Sequence, residues 1–241
     1  MKFRLILDEA REASLNMALD ELLMRRGEAA LRFYRWSRPS ATIGYFDDVK
    51  TAARLFGRKG QEIPVIRRIT GGGAVLHGED LTFSLVLRVP APFFENDVKS
   101  SYLKINEAVR VGLQSEIPSM DYADCKTVPS QSSKQKQRVC FEAPSCYDLL
   151  LDGKKVLGGS QRRTHGVMLH QSTLFLPQPT AGAEQKIREG FEKVWKVDFE
   201  DRAFSSEELA EAARAESALL ADTSRAYLPE GSFLRAATFL S

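Results

Sequence analysis

A chain of 241 residues of which 43% are hydrophobic has the material for one sizeable core, or for one domain with a small appendage. Its formal charge of +2 creates no overall field that calls for nucleic acid. No apolar run reaches membrane-spanning length, and the start Met1-Lys2-Phe3-Arg4-Leu5-Ile6-Leu7-Asp8 is interrupted by charge too soon for a signal peptide, so no membrane association and a cytoplasmic location are expected.

Residues 3 to 7 alternate weakly and read as a first strand. Ser14 is a candidate N-cap for a helix in which Leu15, Ala18, Leu19, Leu22 and Leu23 recur at helical spacing, with Gly27 as its stop. Residues 31 to 36 and 41 to 46 read as two strands joined across Ser37-Arg38-Pro39-Ser40, and Phe33 and Trp36 suit a core. Then comes Arg67-Arg68-Ile69-Thr70-Gly71-Gly72-Gly73-Ala74-Val75-Leu76-His77. Three consecutive glycines cost backbone entropy and bring no side chain to pack. They suit either a hairpin bend with solvated arginines or a place where a carboxylate, thioester or phosphate comes close to bared peptide groups. Ile63 to Arg68 and Ala74 to Val75 flank them as a hairpin-like pair with the glycines at its open end. Leu81 to Val89 is a further strand, ended by Pro90.

This arginine and glycine run, followed by Asp80-Leu81-Thr82-Phe83-Ser84, resembles the acyl-pocket signature of the lipoate-protein ligase A and octanoyltransferase family, within the wider biotin/lipoate protein ligase group. The segments Asn16 to Glu21, Arg32 to Trp36 and Thr42 to Phe46 are similar to the same family's pattern. The resemblance implies a pocket for a fatty acyl or lipoyl tail lined by Arg68, Thr70, Gly71, Gly72, Gly73, Ala74 and His77. His77 either caps the turn or donates to an acyl oxygen as an uncharged imidazole.

A helix is expected from Ser100 to Glu116, with Tyr102, Ile105, Val109 and Leu113 on one face. Between Asp124 and Arg138 the composition turns to Lys, Gln and Ser with little to bury, which predicts a mobile loop; its Lys126, Lys134, Lys136 and Arg138 fit either a solvated linker or an acidic partner. Three cysteines, an odd number without a Cys-x-x-Cys pair, argue against a disulfide framework or a structural zinc site. Cys140, at the edge of the loop, is either a small core residue or an accessible nucleophile. Its setting Val139-Cys140-Phe141-Glu142-Ala143-Pro144-Ser145 resembles the element around the nucleophile of the cysteine-dependent, lipoate-ligase-like octanoyltransferases, with Glu142 where they carry aspartate. Cys125 and Cys146 are expected to be structural.

Leu149 to Leu151, Asp152-Gly153 and Lys155 to Leu157 read as a hairpin with an Asp-Gly turn. Only one of the adjacent Lys154 and Lys155 can face the interior. The resemblance assigns the family's essential lysine to Lys155 and puts Gly158, Gly159 and Ser160 against the acyl group. Met168 to Leu176 is another strand, in which Ser172 stands where the family more often has glycine; His165 and His170 have no metal-ligand partners at suitable spacing. Residues 177 to 183 read as a linker, Ile187, Phe191 and Trp195 as a helical face, and Ser205 with Glu208 as a capping box for a helix to about Leu220.

The fold class expected is therefore α+β, similar to the biotin/lipoate ligase catalytic domain, with a mixed, mainly antiparallel sheet flanked by helices. Residues 1–241 form a single domain on this reading, with 177–241 as a helical C-terminal extension packed on it. The function implied is octanoyl transfer from acyl carrier protein through Cys140, assisted by Lys155, to a lysine of a lipoyl domain or glycine-cleavage H protein, by a monomer without cofactor or metal. The alternatives are an ATP- and Mg²⁺-dependent lipoate-protein ligase, or a non-catalytic acyl- or lipoyl-domain-binding subunit.

Overall fold

The computed structural model describes residues 1–48, 60–126, 128, 141, 144–176, 182–221 and 224–229. A large sheet runs in the order β11-β1-β2-β6-β10-β9-β8-β7, and a smaller one in the order β12-β4-β3-β5. The large sheet comprises β1 (Lys2–Arg11), β2 (Ala30–Trp36), β6 (Leu81–Arg88), β7 (Asp121–Tyr122), β8 (Leu149–Leu151), β9 (Lys154–Thr164), β10 (Val167–Leu174) and β11 (Asp198–Asp201). The small sheet comprises β3 (Ser40–Ile43), β4 (Gly60–Arg67), β5 (Val75–His77) and β12 (Ser224–Pro229). In the large sheet only the β1 pairings with β2 and β11 are parallel; the remaining ladders are antiparallel.

Four helices pack around these sheets among the described residues: α1 (Ala13–Arg26), α2 (Val98–Leu113), α3 (Ala183–Trp195) and α4 (Ser206–Ala221). The period-two pattern of β6 shows how one sheet serves two environments. Leu81, Phe83, Leu85 and Leu87 enter a core with Ile105, Val109, Phe191 and Trp195 from α2 and α3. Thr82, Ser84 and Val86 alternate with them and face α1 and the small sheet. On that side α1 contacts β2, β3, β4, β6 and β10. No helix among the described residues is long and apolar enough to cross a membrane.

Three of the local signals act where they are expected, and one, the N-cap of α1, does not. Gly27 ends α1 at φ 63, with its N–H bonded to Leu23 and Met24 carbonyls. The N-cap is instead Glu12, while Ser14 sits within the first turn and bonds Glu216. Asp152 and Gly153 turn the β8–β9 hairpin at φ 50 and 77. Ser205 and Glu208 exchange reciprocal bonds, Ser205 N–H to Oε2 at 2.8 Å and Glu208 N–H to Oγ at 3.2 Å. The Arg4 guanidinium also grips Glu208 at 2.7 and 2.8 Å, and these bonds hold its carboxyl down at about 2.

The strands read at 31–36 and 41–46 do not pair with each other: the second spans Ser40–Ile43, and the two belong to different sheets. Nor do the two flanks of the glycine run form a hairpin: β3 lies between β4 and β5, parallel to one and antiparallel to the other. The glycines thus link two non-adjacent strands. Of the segment after 177, β11 extends the large sheet beside β1, α4 lies on α1, and β12 pairs with β4.

α2 and α3 cross so closely that a Cβ on Gly190 would lie 2.0 Å from the Ala108 carbonyl oxygen, and one on Gly112 2.2 Å from that of Lys186. Backbone cannot yield as a flexible side chain does. Gly190→Ala is therefore expected to cost about 1–3 kcal/mol despite alanine's better helix propensity. Thermal unfolding checks this: a melting temperature equal to or above wild type would show that the helices separate without penalty.

Candidate active site

The cavity lies between the large sheet and the small one, and two cross-strand rows build its floor. Tyr34, Thr82, Thr173 and Gly158 stand side by side on β2, β6, β10 and β9; Arg32, Ser84, Gln171 and Ser160 form the next row. The small sheet contributes Thr42, Val75 and His77 opposite, and α1 contributes Met17. The cavity measures about 30 Å³, room for a water or two. Met17, unbranched and with three rotors, is the most adaptable residue of the lining.

The polar floor is internally hydrogen-bonded. Thr70 Oγ1 bonds the Gln171 Oε1 at 2.6 Å and shares a hydrogen with Ser160 Oγ at 2.8 Å, while Gln171 Nε2 donates to Asp20 Oδ2 at 2.7 Å. Asp20 also accepts from Arg32, Tyr34 and Ser84. Sequence reasoning identified Thr70 and Ser160 but missed Gln171 and Asp20. Their signal was a buried-strand glutamine and a helix aspartate, each ordinary by itself.

In the glycine segment, Arg68 donates to the carbonyls of Gly71 and Gly73 at 2.6 and 2.8 Å and to Thr42 Oγ1 at 3.2 Å. Arg67 donates to the carbonyls of Tyr45 and Asp47. Both guanidinium groups thus stitch the chain together. Gly72 takes φ 87, and a Cβ on Gly44 would meet the Gly72 carbonyl oxygen at 2.0 Å, so these two glycines serve a tight backbone crossing. Around Gly71 there is open space, and Ala74 is fully buried.

His77 lines the cavity with its ring stacked on Trp36 at 3.8 Å. Its Nδ1 lies 2.9 Å from Asp80 Oδ2, and its Nε2 2.9 Å from Thr42 Oγ1. Burial acts to raise the Asp80 pKa, but His77, the Gly78 N–H and Thr82 together outweigh it and hold the carboxyl below its usual range. A carboxylate here fixes the hydrogen on Nδ1, leaving Nε2 to accept from Thr42. Both ring nitrogens are committed to the wall.

Behind the sheet, His170 is wholly buried, bonded to Ser172 Oγ at 2.6 Å, and burial pushes its pKa down to about 3. A Cβ on Gly159 would strike both side chains at 2.6 Å. Ser172 thus backs Gly159 from the face opposite the cavity and is no part of the cavity wall.

Lys155 is buried whereas Lys154 is exposed. The β8–β9 register shifts between Leu149 and Leu150, so that Lys155 opposes Leu150 while Leu157 opposes Leu149. This bulge lets the lysine stem lie across Gly158, where a Cβ would meet Cε at 2.3 Å and Nζ at 2.7 Å. Nζ is 2.7 Å from Asp148 Oδ2 and 5.1 Å from the centre of the Phe141 ring. Cys140, the residue before Phe141, lies outside the described residues, as do Glu142, Ala143 and most of the basic stretch from Asp124 to Arg138. The reading against disulfides is corrected: Cys125 and Cys146, expected to be structural, are joined in one, with Cα atoms 4.5 Å apart. Their own spacing did not reveal it, because β7–β8 pairing and the Ala123–Asp148 bond bring them together.

Residues 12–193 match the family model of the lipoyl protein ligase A/B catalytic domain. An octanoyltransferase LipM of Oceanobacillus iheyensis is 34% identical over 178 residues, covering 72% of this chain and 63% of that protein. Another, from Carboxydothermus hydrogenoformans, is 35% identical over 215 residues, covering 82% and 78%. A third, from Moorella thermoacetica, is 33% identical over 67% of this chain and 60% of its own length, so the chain spans about three fifths of two of these three relatives. Among solved structures, lipoate-protein ligase A bound with ATP aligns with a TM-score of 0.68 at 22% identity, covering 90% of this chain and 95% of that one. A putative lipoate protein ligase from T. acidophilum with bound lipoic acid aligns with a TM-score of 0.67 at 22% identity and the same coverage. The mixed, mainly antiparallel sheet with flanking helices is thus the lipoate-protein ligase fold. By its matched segment and these relatives, the chain belongs to the lipoyl protein ligase A/B catalytic-domain family.

Proposed function

We propose that this chain is a single-domain octanoyltransferase of lipoate biosynthesis, taking an octanoyl group from acyl carrier protein and passing it to a lysine of a lipoyl domain or glycine-cleavage H protein. The observation that carries the reading is the buried Lys155 ammonium, held beside the cavity across Gly158 with Phe141, the residue after Cys140, against it. The relatives called octanoyltransferase support it.

In this reading the Cys140 thiolate attacks the thioester carbonyl, and the tetrahedral oxyanion collapses by expelling the carrier's thiolate, which takes up a proton. Lys155 offers positive charge to the oxyanion in a site shielded from water. The uncharged ε-amine of the acceptor lysine then attacks the Cys140 thioester, Cys140 leaves as thiolate, and the new amide nitrogen loses a proton. Neither ATP nor a metal enters this sequence. Arg68, Gly72 and His77 shape the wall that the acyl tail meets.

Intact-protein mass spectrometry after mixing the chain with octanoyl-acyl carrier protein, without ATP, tests the proposal. One octanoyl group, removable by hydroxylamine and absent from Cys140→Ala, is the expected result. Absence of the adduct, together with ATP-dependent modification of a lipoyl domain by free lipoate that survives Cys140→Ala, would replace the transferase by a ligase. Lipoyl-domain binding without transfer of either kind would leave a non-catalytic subunit.

A further inference from the structure

We infer that Asp148 is a positioning residue for acyl transfer, its carboxylate aiming the Lys155 ammonium while anchoring the turn that follows Cys140 in the chain. The inference rests on the transferase reading and adds a residue to it.

One carboxylate oxygen makes both connections. Asp148 Oδ2 lies 2.7 Å from Lys155 Nζ, and the same oxygen accepts the Ser145 N–H at 2.6 Å. The side chains of Asp148 and Lys155 are each only 3% exposed. The aspartate itself has little freedom. Its N–H donates to the Ser145 carbonyl at 3.0 Å, and its own carbonyl accepts the Ala123 N–H at 2.8 Å. Tyr147, one residue before it, is held at φ 70, with its carbonyl accepting from Asn106 Nδ2 of α2 at 2.8 Å. The Cys125–Cys146 disulfide closes the same corner covalently. A carboxylate fixed from the end of β7, from α2 and from its own turn is a rigid reference point for a flexible side chain.

Lysine needs such a reference. Its ammonium sits on a four-carbon stem with many rotamers, and burial favours either the neutral amine or an escape to water. Asp148 opposes both tendencies, by charge and by direction. Burial raises the aspartate's own pKa, with Lys155 and the Ser145 N–H pulling the other way, so each ion depends on the other. Stability alone does not account for the pair, because buried ion pairs are commonly no better than packed hydrophobic ones. Placed beside the cavity, with Lys155 laid over Gly158, the pair is suited to a reaction that develops negative charge.

The test is a double-mutant cycle on single-turnover octanoylation, with thermal unfolding measured on every variant. Asp148→Asn keeps the shape and an acceptor for Ser145 but removes the charge. It is expected to slow octanoyl-enzyme formation on the order of 10²-fold, with a much smaller change in the carrier concentration needed for half-maximal rate. In a Lys155→Met background the same substitution is expected to cost almost nothing further, because Asp148 acts through the lysine. Acylation of Asp148→Asn at the wild-type rate would overturn the inference while leaving the transferase intact. So would an equal loss in both backgrounds that tracks lost stability, since that is what a purely structural role produces. A wild-type chain that never takes the octanoyl group would sink the transferase reading itself, and this inference with it.

Discussion

Gly158→Ala is expected to stay folded, at a cost of about 1–3 kcal/mol because the buried Asp148 carboxylate loses its cation, and to lose on the order of 10²-fold in the rate of octanoyl-enzyme formation. The new Cβ would fall 2.3 Å from Lys155 Cε and 2.7 Å from Nζ, with Phe141 Cζ at an ordinary 3.5 Å. The obstructed atoms are the end of a long flexible side chain, so the lysine swings away and the backbone stays. Alanine in place of glycine also lowers the entropy of the unfolded chain, which offsets part of the lost packing. What cannot be kept is the 2.7 Å contact between Nζ and Asp148 together with the place of the ammonium beside the cavity. Gly44→Ala is the contrasting control: its Cβ would meet a backbone oxygen at 2.0 Å, so its damage should appear first as lost stability. Single-turnover acylation followed by mass spectrometry, with melting temperatures alongside, separates the two. A Gly158→Ala protein acylated as fast as wild type would mean that the lysine's present position does not matter to the chemistry.

These cases divide what can be read from the sequence from what cannot. Gly27, the Asp152-Gly153 turn and the Ser205–Glu208 box were legible because each works through backbone geometry or bonds within a few residues. The burial of Lys155 rather than Lys154 agreed with the resemblance, although strict alternation is not its cause: the strand is bulged there. Alternation requires one of two neighbours to face inward but cannot say which. The glycine run was legible as a special place, yet its hairpin reading failed because β3, more than twenty residues earlier, inserts between its flanks. Strand order is decided by which faces bury together, and no local signal carries it. The disulfide was illegible for the same reason, since an odd count of cysteines says nothing about which two a sheet edge brings together. Gln171 and Asp20 stand 151 positions apart, and only the fold makes them partners.

The acidic centre of the cavity floor should prove the most sensitive stability determinant on that side of the sheet. Asp20 is completely buried and accepts from Arg32 Nη1 at 2.7 Å, Tyr34 Oη at 3.0 Å, Ser84 Oγ at 2.7 Å and Gln171 Nε2 at 2.7 Å. Asp20→Ala removes the acceptor for all four at once. Arg32, itself fully buried, keeps Asp8 and the Asn16 oxygens but loses half of its carboxylate pairing. Leaving a buried cation under-compensated costs about 3–5 kcal/mol, and the stranded hydroxyl and amide donors add to that. For a chain of this size such a loss lowers the melting temperature by on the order of 10 °C. Gln171→Ala should cost less, because Asp20 Oδ2 keeps the Tyr34 hydroxyl, Thr70 keeps Ser160, and no cation loses a partner. The double variant should be less destabilised than the sum of the two, as both remove the same Gln171–Asp20 bond. Urea unfolding of the two single variants and the double variant measures this. A loss below about 1 kcal/mol for Asp20→Ala would show that Asp8 and Asn16 suffice to hold Arg32, and that the floor beneath Thr70 and Ser160 is fixed by packing rather than by this carboxylate.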